Sequence, residues 1–113
     1  MNKINKPWGY YVVLDEGKKY IVKKIVVYEH KRLSLQYHNK RKEYWTIVAG
    51  KGVGIIDNHK YNLIPGDTIF IPTKIQHRIE AKTQMEIIEV QMGECCEDDI
   101  VRIEDDFGRI KGW

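Results

Sequence analysis

Short runs of β-branched and aromatic residues recur along the whole chain, each closed by a turn signal, and no stretch carries the apolar spacing of a helix. Strands are predicted at Tyr10 to Leu14, Tyr20 to Tyr28, Arg32 to His38, Glu43 to Val48, Gly52 to Ile56, Lys60 to Leu63, Thr68 to Ile71, His77 to Ala81 and Met85 to Gln91. Between them, Asp15-Glu16-Gly17 and Asp57-Asn58 read as hairpin turns, Ala49-Gly50-Lys51-Gly52 as a glycine-bearing turn and Ile64-Pro65-Gly66-Asp67 as a Pro-Gly turn. Many short strands spaced this closely imply an all-β sandwich or barrel.

At 113 residues the chain has the size of one domain, residues 1–113, with one hydrophobic core. No linker, repeat or low-complexity tract divides it, and Pro7 and the glycine near Trp113 suggest loose ends. No apolar run approaches the ~20 residues that span a bilayer. The first residues, Met1 to Pro7, lack the apolar stretch of a signal peptide, so a cytoplasmic protein with no membrane association is expected. Cys95 and Cys96 are adjacent, which strains a mutual bridge, and read as a reduced pair in a turn.

The net charge of +3 conceals an asymmetry, because Glu94 to Asp106 holds seven acids and one base. The rest of the chain is therefore strongly basic, suited to an anion such as a phosphorylated metabolite. Nucleic acid is not expected, since the basic residues are scattered and no DNA- or RNA-binding pattern organises them.

Alternation from Arg32 to His38 separates Leu33, Leu35 and Tyr37 on one face from Arg32, Ser34, Gln36 and His38 on the other. Gln36-x-His38 thus places two ligand-capable side chains together, Glu43 follows just after a turn, and His77 begins a later strand. Imidazole nitrogens and carboxylate oxygens suit a divalent metal, zinc first, with manganese, cobalt, nickel or iron as alternatives.

With these residues the sequence resembles the cupin superfamily. Its first motif has H-x-H, then a glutamate, then a glycine, and Gln36-x-His38, Glu43 and Gly50 match that spacing with Gln for the first His. The second motif matches at Gly66, Pro72 and His77, with Lys74 where the motif has glycine. The resemblance implies a cupin barrel, a jelly-roll-like double-stranded β-helix.

Within that superfamily the chain most resembles the C-terminal phosphomannose isomerase domain of the bifunctional mannose-6-phosphate isomerase/mannose-1-phosphate guanylyltransferases. Matching segments include Lys6-Pro7-Trp8-Gly9, Arg32 to His38, Glu43-Tyr44-Trp45, Glu86 to Gln91, Glu97 to Arg102 and Glu104 to Arg109. The resemblance implies that Gln36, His38, Glu43 and His77 ligate the metal. It also implies interconversion of mannose 6-phosphate and fructose 6-phosphate through an enediolate. The family enzymes carry a nucleotidyltransferase domain for which 113 residues leave no room, so no guanylyltransferase activity is expected.

For the phosphate, and as catalytic cations, Arg32 and Arg109 are the candidates, Arg32 from strand alternation and Arg109 from the Asp-Phe-Gly-Arg ending. Lys24 and Lys74 follow, while a salt bridge to Glu104, Asp105 or Asp106 competes for Arg109. The base for proton transfer is left open, because the facing of Glu80, Glu86 and Glu89 is not assigned. A homodimer is expected through the Leu33-Leu35-Tyr37 face and the aromatic N-terminal segment. The rival to an isomerase is a catalytically silent cupin that holds a metal and a sugar, as a sensor or as partner of a nucleotidyltransferase.

Overall fold

The computed structural model describes residues 2–93 and 99–109, which form eleven strands and no helix. They are β1 (Lys3–Lys6), β2 (Gly9–Glu16), β3 (Tyr20–Val27), β4 (Leu35–Tyr37), β5 (Arg41–Ala49), β6 (Gly52–Ile56), β7 (His59–Leu63), β8 (Thr68–Ile71), β9 (His77–Ala81), β10 (Met85–Gly93) and β11 (Val101–Glu104). One sheet has the order β1-β2-β3-β10-β5-β8 and the other β11-β4-β9-β6-β7. All their pairings are antiparallel. Among the described residues there is thus no helix long and apolar enough to cross a membrane. Cys95 and Cys96 lie outside the described residues.

The predicted strands are present, with three differences. The N-terminus is not loose: Lys3–Lys6 pairs with β2 through a tight turn at Pro7-Trp8, Lys6 standing opposite Gly9. Gly9 is required there, because a Cβ would collide with the carbonyl of Val26 on the adjoining strand. A strand at Val101–Glu104 pairs with β4 and was not foreseen. The run from Arg32 to His38 is regular only over Leu35–Tyr37, while Arg32 meets Glu80 in an isolated bridge.

Asp57 and Asn58 both take positive φ, 50° and 65°, the geometry of the two-residue hairpin expected between β6 and β7. Lys74 has φ 66°, so the motif position usually held by glycine keeps the left-handed backbone without the glycine.

The interior divides into two halves along the same strands. On β5 the inward residues run Arg41, Glu43, Trp45, Ile47, and on β10 they run Met85, Ile87, Glu89, Gln91. Antiparallel register sets Glu43 opposite Gln91, Trp45 opposite Glu89 and Ile47 opposite Ile87. On the far side of β10, Lys23 stands opposite Glu89 and Ile25 opposite Ile87. One end of the barrel is therefore an apolar core of Val27, Ile47, Leu63, Ile79, Met85 and Ile87. Each such side chain contributes roughly 1.5–3 kcal/mol by leaving water. The other end buries charge.

Candidate metal centre

At the polar end, His38, Glu43 and His77 place one ligand atom each within 4.8 Å of one another, and all three are buried. Register explains the convergence. Gln36 on β4 stands opposite His77 on β9, so these two ligand candidates are cross-strand neighbours. Glu43 reaches them from the other sheet: its Oε2 lies 3.0 Å from Nε2 of His38 and its Oε1 3.4 Å from Nε2 of His77.

Both imidazoles are oriented by main-chain carbonyls. Nδ1 of His38 donates to the oxygen of Asp99 at 2.6 Å, and Nδ1 of His77 to that of Ile75 at 2.9 Å. A carbonyl accepts and does not donate, so the proton of each neutral ring sits on Nδ1 and the Nε2 lone pair faces Glu43. Two lone pairs aimed at a carboxylate are stable with a cation among them. Nε2 of His77 is buried without a hydrogen-bond partner, and the donor set of two imidazoles and one carboxylate suits a divalent transition metal, so these residues fit one. Gln36 is buried beside them, its Oε1 accepting from Ser34 at 3.0 Å. Arg41 Nη2 lies 3.2 Å from Nε2 of His38 and 3.4 Å from Oε2 of Glu43.

Burial alone pushes the Glu43 carboxyl up, but when His38 and His77 also carry a proton on Nε2 and donate to it they outweigh burial and hold it well below the usual carboxylate range. Glu89 moves the other way: burial, reinforced by the charge of Glu43, holds it above that range. Nε1 of Trp45 donates to both acids, 3.2 Å from Oε1 of Glu43 and 3.2 Å from Oε2 of Glu89, and Nε2 of Gln91 donates to Glu89 at 2.6 Å. Glu89 is thus a fixed carboxyl next to the metal-ligand candidates.

A cavity with about 70 Å³ of interior room opens beside this cluster, lined by Gln36, Glu43, Glu89 and Gln91 among others. Its cations are Lys6, Lys23, Arg41, Arg102 and Arg109. Lys23 and Arg41 are buried, while Lys6, Arg102 and Arg109 are partly open to solvent and so mark the mouth. Lys23 Nζ rests 4.2 Å from the centroid of the Tyr11 ring, a cation–π contact that offsets part of its burial cost.

The other residues singled out from the sequence take other places. Arg32, expected to share the ligands' face, instead binds three acids: Asp106 at 2.7 Å, Glu80 at 3.1 Å and Glu104 at 3.4 Å. It does not line the cavity. Lys24 points outward to Glu86 at 3.0 Å, one residue from the inward Lys23. Lys74 is an exposed turn residue whose backbone N–H donates to the carbonyl of His38. Arg109 makes the competing salt bridge, to Asp105 at 2.8 Å, and also lines the cavity. Of the three glutamates left open, Glu80 and Glu86 are held by Arg32 and Lys24, and Glu89 faces inward. Lys23, Glu89 and Gln91 went unassigned, although each has the parity of its strand's inward apolar residues. His30 and His59 are exposed.

A family described as the C-terminal region of mannose-6-phosphate isomerase matches residues 1–105. The chain belongs to this family. XanB of Xanthomonas campestris, a xanthan biosynthesis protein, is 39% identical over 110 residues, 95% of this chain and 24% of XanB. ManC of Salmonella typhimurium, a mannose-1-phosphate guanylyltransferase, is 38% identical over 96% of this chain and 23% of its own length. AlgA of Pseudomonas aeruginosa, an alginate biosynthesis protein, is 40% identical over 95% of this chain and 23% of AlgA. The chain thus spans about a quarter of the length of these relatives.

Two solved structures share the fold. KdgF from Halomonas superposes with a TM-score of 0.78 at 13% identity, covering 87% of this chain and 92% of KdgF. Pac13, a nucleoside dehydratase, superposes with a TM-score of 0.77 at 17% identity, covering 92% of this chain and 85% of its own. The two-sheet barrel of this family member is the cupin type that its motifs indicated.

Proposed function

We infer that this domain is a metal-dependent sugar-phosphate isomerase acting on mannose 6-phosphate and fructose 6-phosphate. The observation that carries the reading is one cavity lined by Glu43 of the ligand cluster, by Gln36, by the fixed carboxyl of Glu89 and by a set of cations, with His38 and His77 behind Glu43. Gln36, His38, Glu43 and His77 would hold the metal, zinc by the chemistry of its donors, with manganese, cobalt, nickel or iron as alternatives. When bound, a divalent ion polarises a carbonyl or hydroxyl oxygen and stabilises negative charge developing on it.

Glu89 is the group placed to carry the proton between C2 and C1. Its carboxyl is turned toward the cavity and held by Trp45 and Gln91, which orient it without occupying the metal ligands' role. The phosphate belongs at the mouth, where Lys6, Arg102 and Arg109 supply positive charge near solvent. Arg is suited to that end because its planar fork meets two phosphate oxygens at once. Water is kept from the reacting end by Trp8, Ile25 and Leu33, which line the same cavity.

A second reading is a metal- and sugar-binding domain without turnover. The names of the relatives favour it, since they describe a guanylyltransferase and polysaccharide biosynthesis proteins and no isomerase. A coupled assay of the zinc-, manganese- or cobalt-loaded protein for conversion of mannose 6-phosphate to fructose 6-phosphate, with chelated protein as control, separates the two. Metal-dependent turnover supports the isomerase. Metal binding without turnover leaves the silent binding domain.

A further inference from the structure

We propose that Lys23 is a further catalytic residue, the buried cation that donates a hydrogen bond to the sugar oxygen on which negative charge develops; the proposal rests on the isomerase reading above. Lys23 shares the inward parity of Ile25 and Val27 on β3 and is 4% exposed. Register stands it directly opposite Glu89 across β3 and β10, and both residues line the cavity. On the other flank of Glu89, β5 brings Trp45 and, one inward step along, Glu43 of the ligand cluster. The carboxyl placed to move the proton therefore has the ligand cluster on its β5 side and Lys23 on its β3 side. Burying an ammonium costs more than one cation–π contact with Tyr11 returns. Glu89 does not need Lys23 for its orientation, because Trp45 and Gln91 already donate to it.

The reaction gives such a cation a task. As Glu89 takes the proton from C2 of the aldose, the C–H electron pair becomes the C1–C2 double bond and the carbonyl pair moves onto O1. Glu89 then returns its proton to C1, while the O2 proton passes to O1 and the C2 carbonyl forms. In the reverse direction the charge appears first on O2. Two neighbouring oxygens thus carry negative charge in turn, and fixed positive groups within reach of both lower the barrier. The ligand cluster provides for one of them. Of the two buried cations lining the cavity, Arg41 is engaged by His38 and Glu43, which leaves Lys23 for the other. Lys6, the second ammonium near the Tyr11 ring at 5.9 Å, is half-open to solvent and belongs with the phosphate. Lys23 makes and breaks no covalent bond in this role.

Steady-state kinetics of the metal-loaded full chain test the proposal, together with inhibition by a phosphorylated aldonohydroxamate, a planar anionic mimic of the enediolate. Lys23→Met, apolar and of similar length, should lower kcat about a hundredfold, the usual loss of one donor to a developing oxyanion. It should weaken the hydroxamate by a similar factor and leave KM for mannose 6-phosphate within about threefold, because the donor acts on charge that the bound sugar does not yet carry. Metal content should match the wild type. Lys23→Gln, which keeps a neutral donor, should fall between, and it serves in place of Lys23→Met if that variant does not fold. Wild-type turnover with kcat and hydroxamate affinity unchanged in both variants overturns the role of Lys23 and leaves the isomerase standing. A kcat that recovers in Lys23→Met as pH is raised, with hydroxamate affinity unchanged, overturns it too and makes Lys23 a counter-ion of Glu89. A metal-loaded wild type without turnover overturns the isomerase reading and the role of Lys23 with it.

Discussion

The main-chain oxygen of Asp99 accepts a hydrogen bond from Nδ1 of His38 at 2.6 Å, joining residues 61 apart in the chain. The Asp99 carboxylate meanwhile accepts from the backbone N–H groups of Asn39 and Lys40, both at 2.9 Å. One residue of the acidic C-terminal segment therefore fixes the tautomer of a metal-ligand candidate and caps the turn that follows it. Groups that orient metal ligands in this way typically change affinity 10–100-fold when lost. Asp99→Ala keeps the carbonyl but removes the two bonds that place it, and should weaken metal binding by about tenfold or more in competition with a chelator. Asp99→Asn, which retains an acceptor, should fall between. Equal affinities in all three proteins would show that the carbonyl is placed without the carboxylate.

Glu89 and Glu43 share the indole N–H of Trp45 but should separate cleanly on substitution. Glu89→Gln is nearly isosteric and should lower kcat by about a hundredfold or more while metal content stays at the wild-type level. Glu43→Gln should lower both. Full activity in Glu89→Gln would remove Glu89 from proton transfer.

Arg102 and Arg32 belong to the same end of the molecule but face different partners. Arg102→Met should raise KM for the sugar phosphate with a smaller change in kcat, the signature of lost ground-state binding. Arg32→Met should leave KM near the wild-type value, because its guanidinium is engaged by Asp106, Glu80 and Glu104. A large KM effect from Arg32 alone would return the phosphate to that residue.

Acid should release the C-terminal segment before the barrel. The hydrogen bond from Arg32 holds the Asp106 carboxyl below its ordinary 3.8. At Asp105 partial burial pushes upward, but Arg109 outweighs it and the net direction is again down. A carboxyl depressed in the folded state contributes stability above the ordinary value, and that contribution is lost as pH falls through the folded value. Limited proteolysis should therefore show the segment protected at neutral pH and cut below pH 3.8. Arg32→Gln should move that release to higher pH. Salt weakens the effect at the half-exposed Arg32–Asp106 pair more than at Arg109–Asp105, where the Asp105 side chain is buried.

Lys74 sits at φ 66°, a conformation that costs a side chain about 1–2 kcal/mol and glycine almost nothing. Lys74→Gly should raise stability by up to about 1 kcal/mol in urea titration, the unfolded-state entropy of glycine offsetting the remainder.

Spacing made Gln36, His38, Glu43 and His77 legible before any fold was known, because a strand's alternation and two motifs determine which of them can meet. Glu89 and Gln91 were equally legible in principle: they follow Met85 and Ile87 at every second residue, and a charged group on a core parity marks a site. What the sequence withheld was tertiary. Arg32 has the right parity for the pocket, yet β4 shrinks to three residues, and Asp106, Glu80 and Glu104 claim its guanidinium from two distant stretches of chain. The Asp99 contact is through a main-chain atom, which no side-chain pattern encodes.

Because β5 and β10 carry hydrophobic core and reactive groups on one shared inward parity, their fates are coupled in a way point substitutions do not reveal. A single inserted residue in the middle of either strand turns every later side chain over, exposing one set and burying the other. Slippage in these two strands therefore cannot produce a well-folded relative that has merely mislaid its chemistry. A variant of this domain that keeps the fold and loses the polar cluster is therefore expected to differ by side-chain replacement on an unchanged frame.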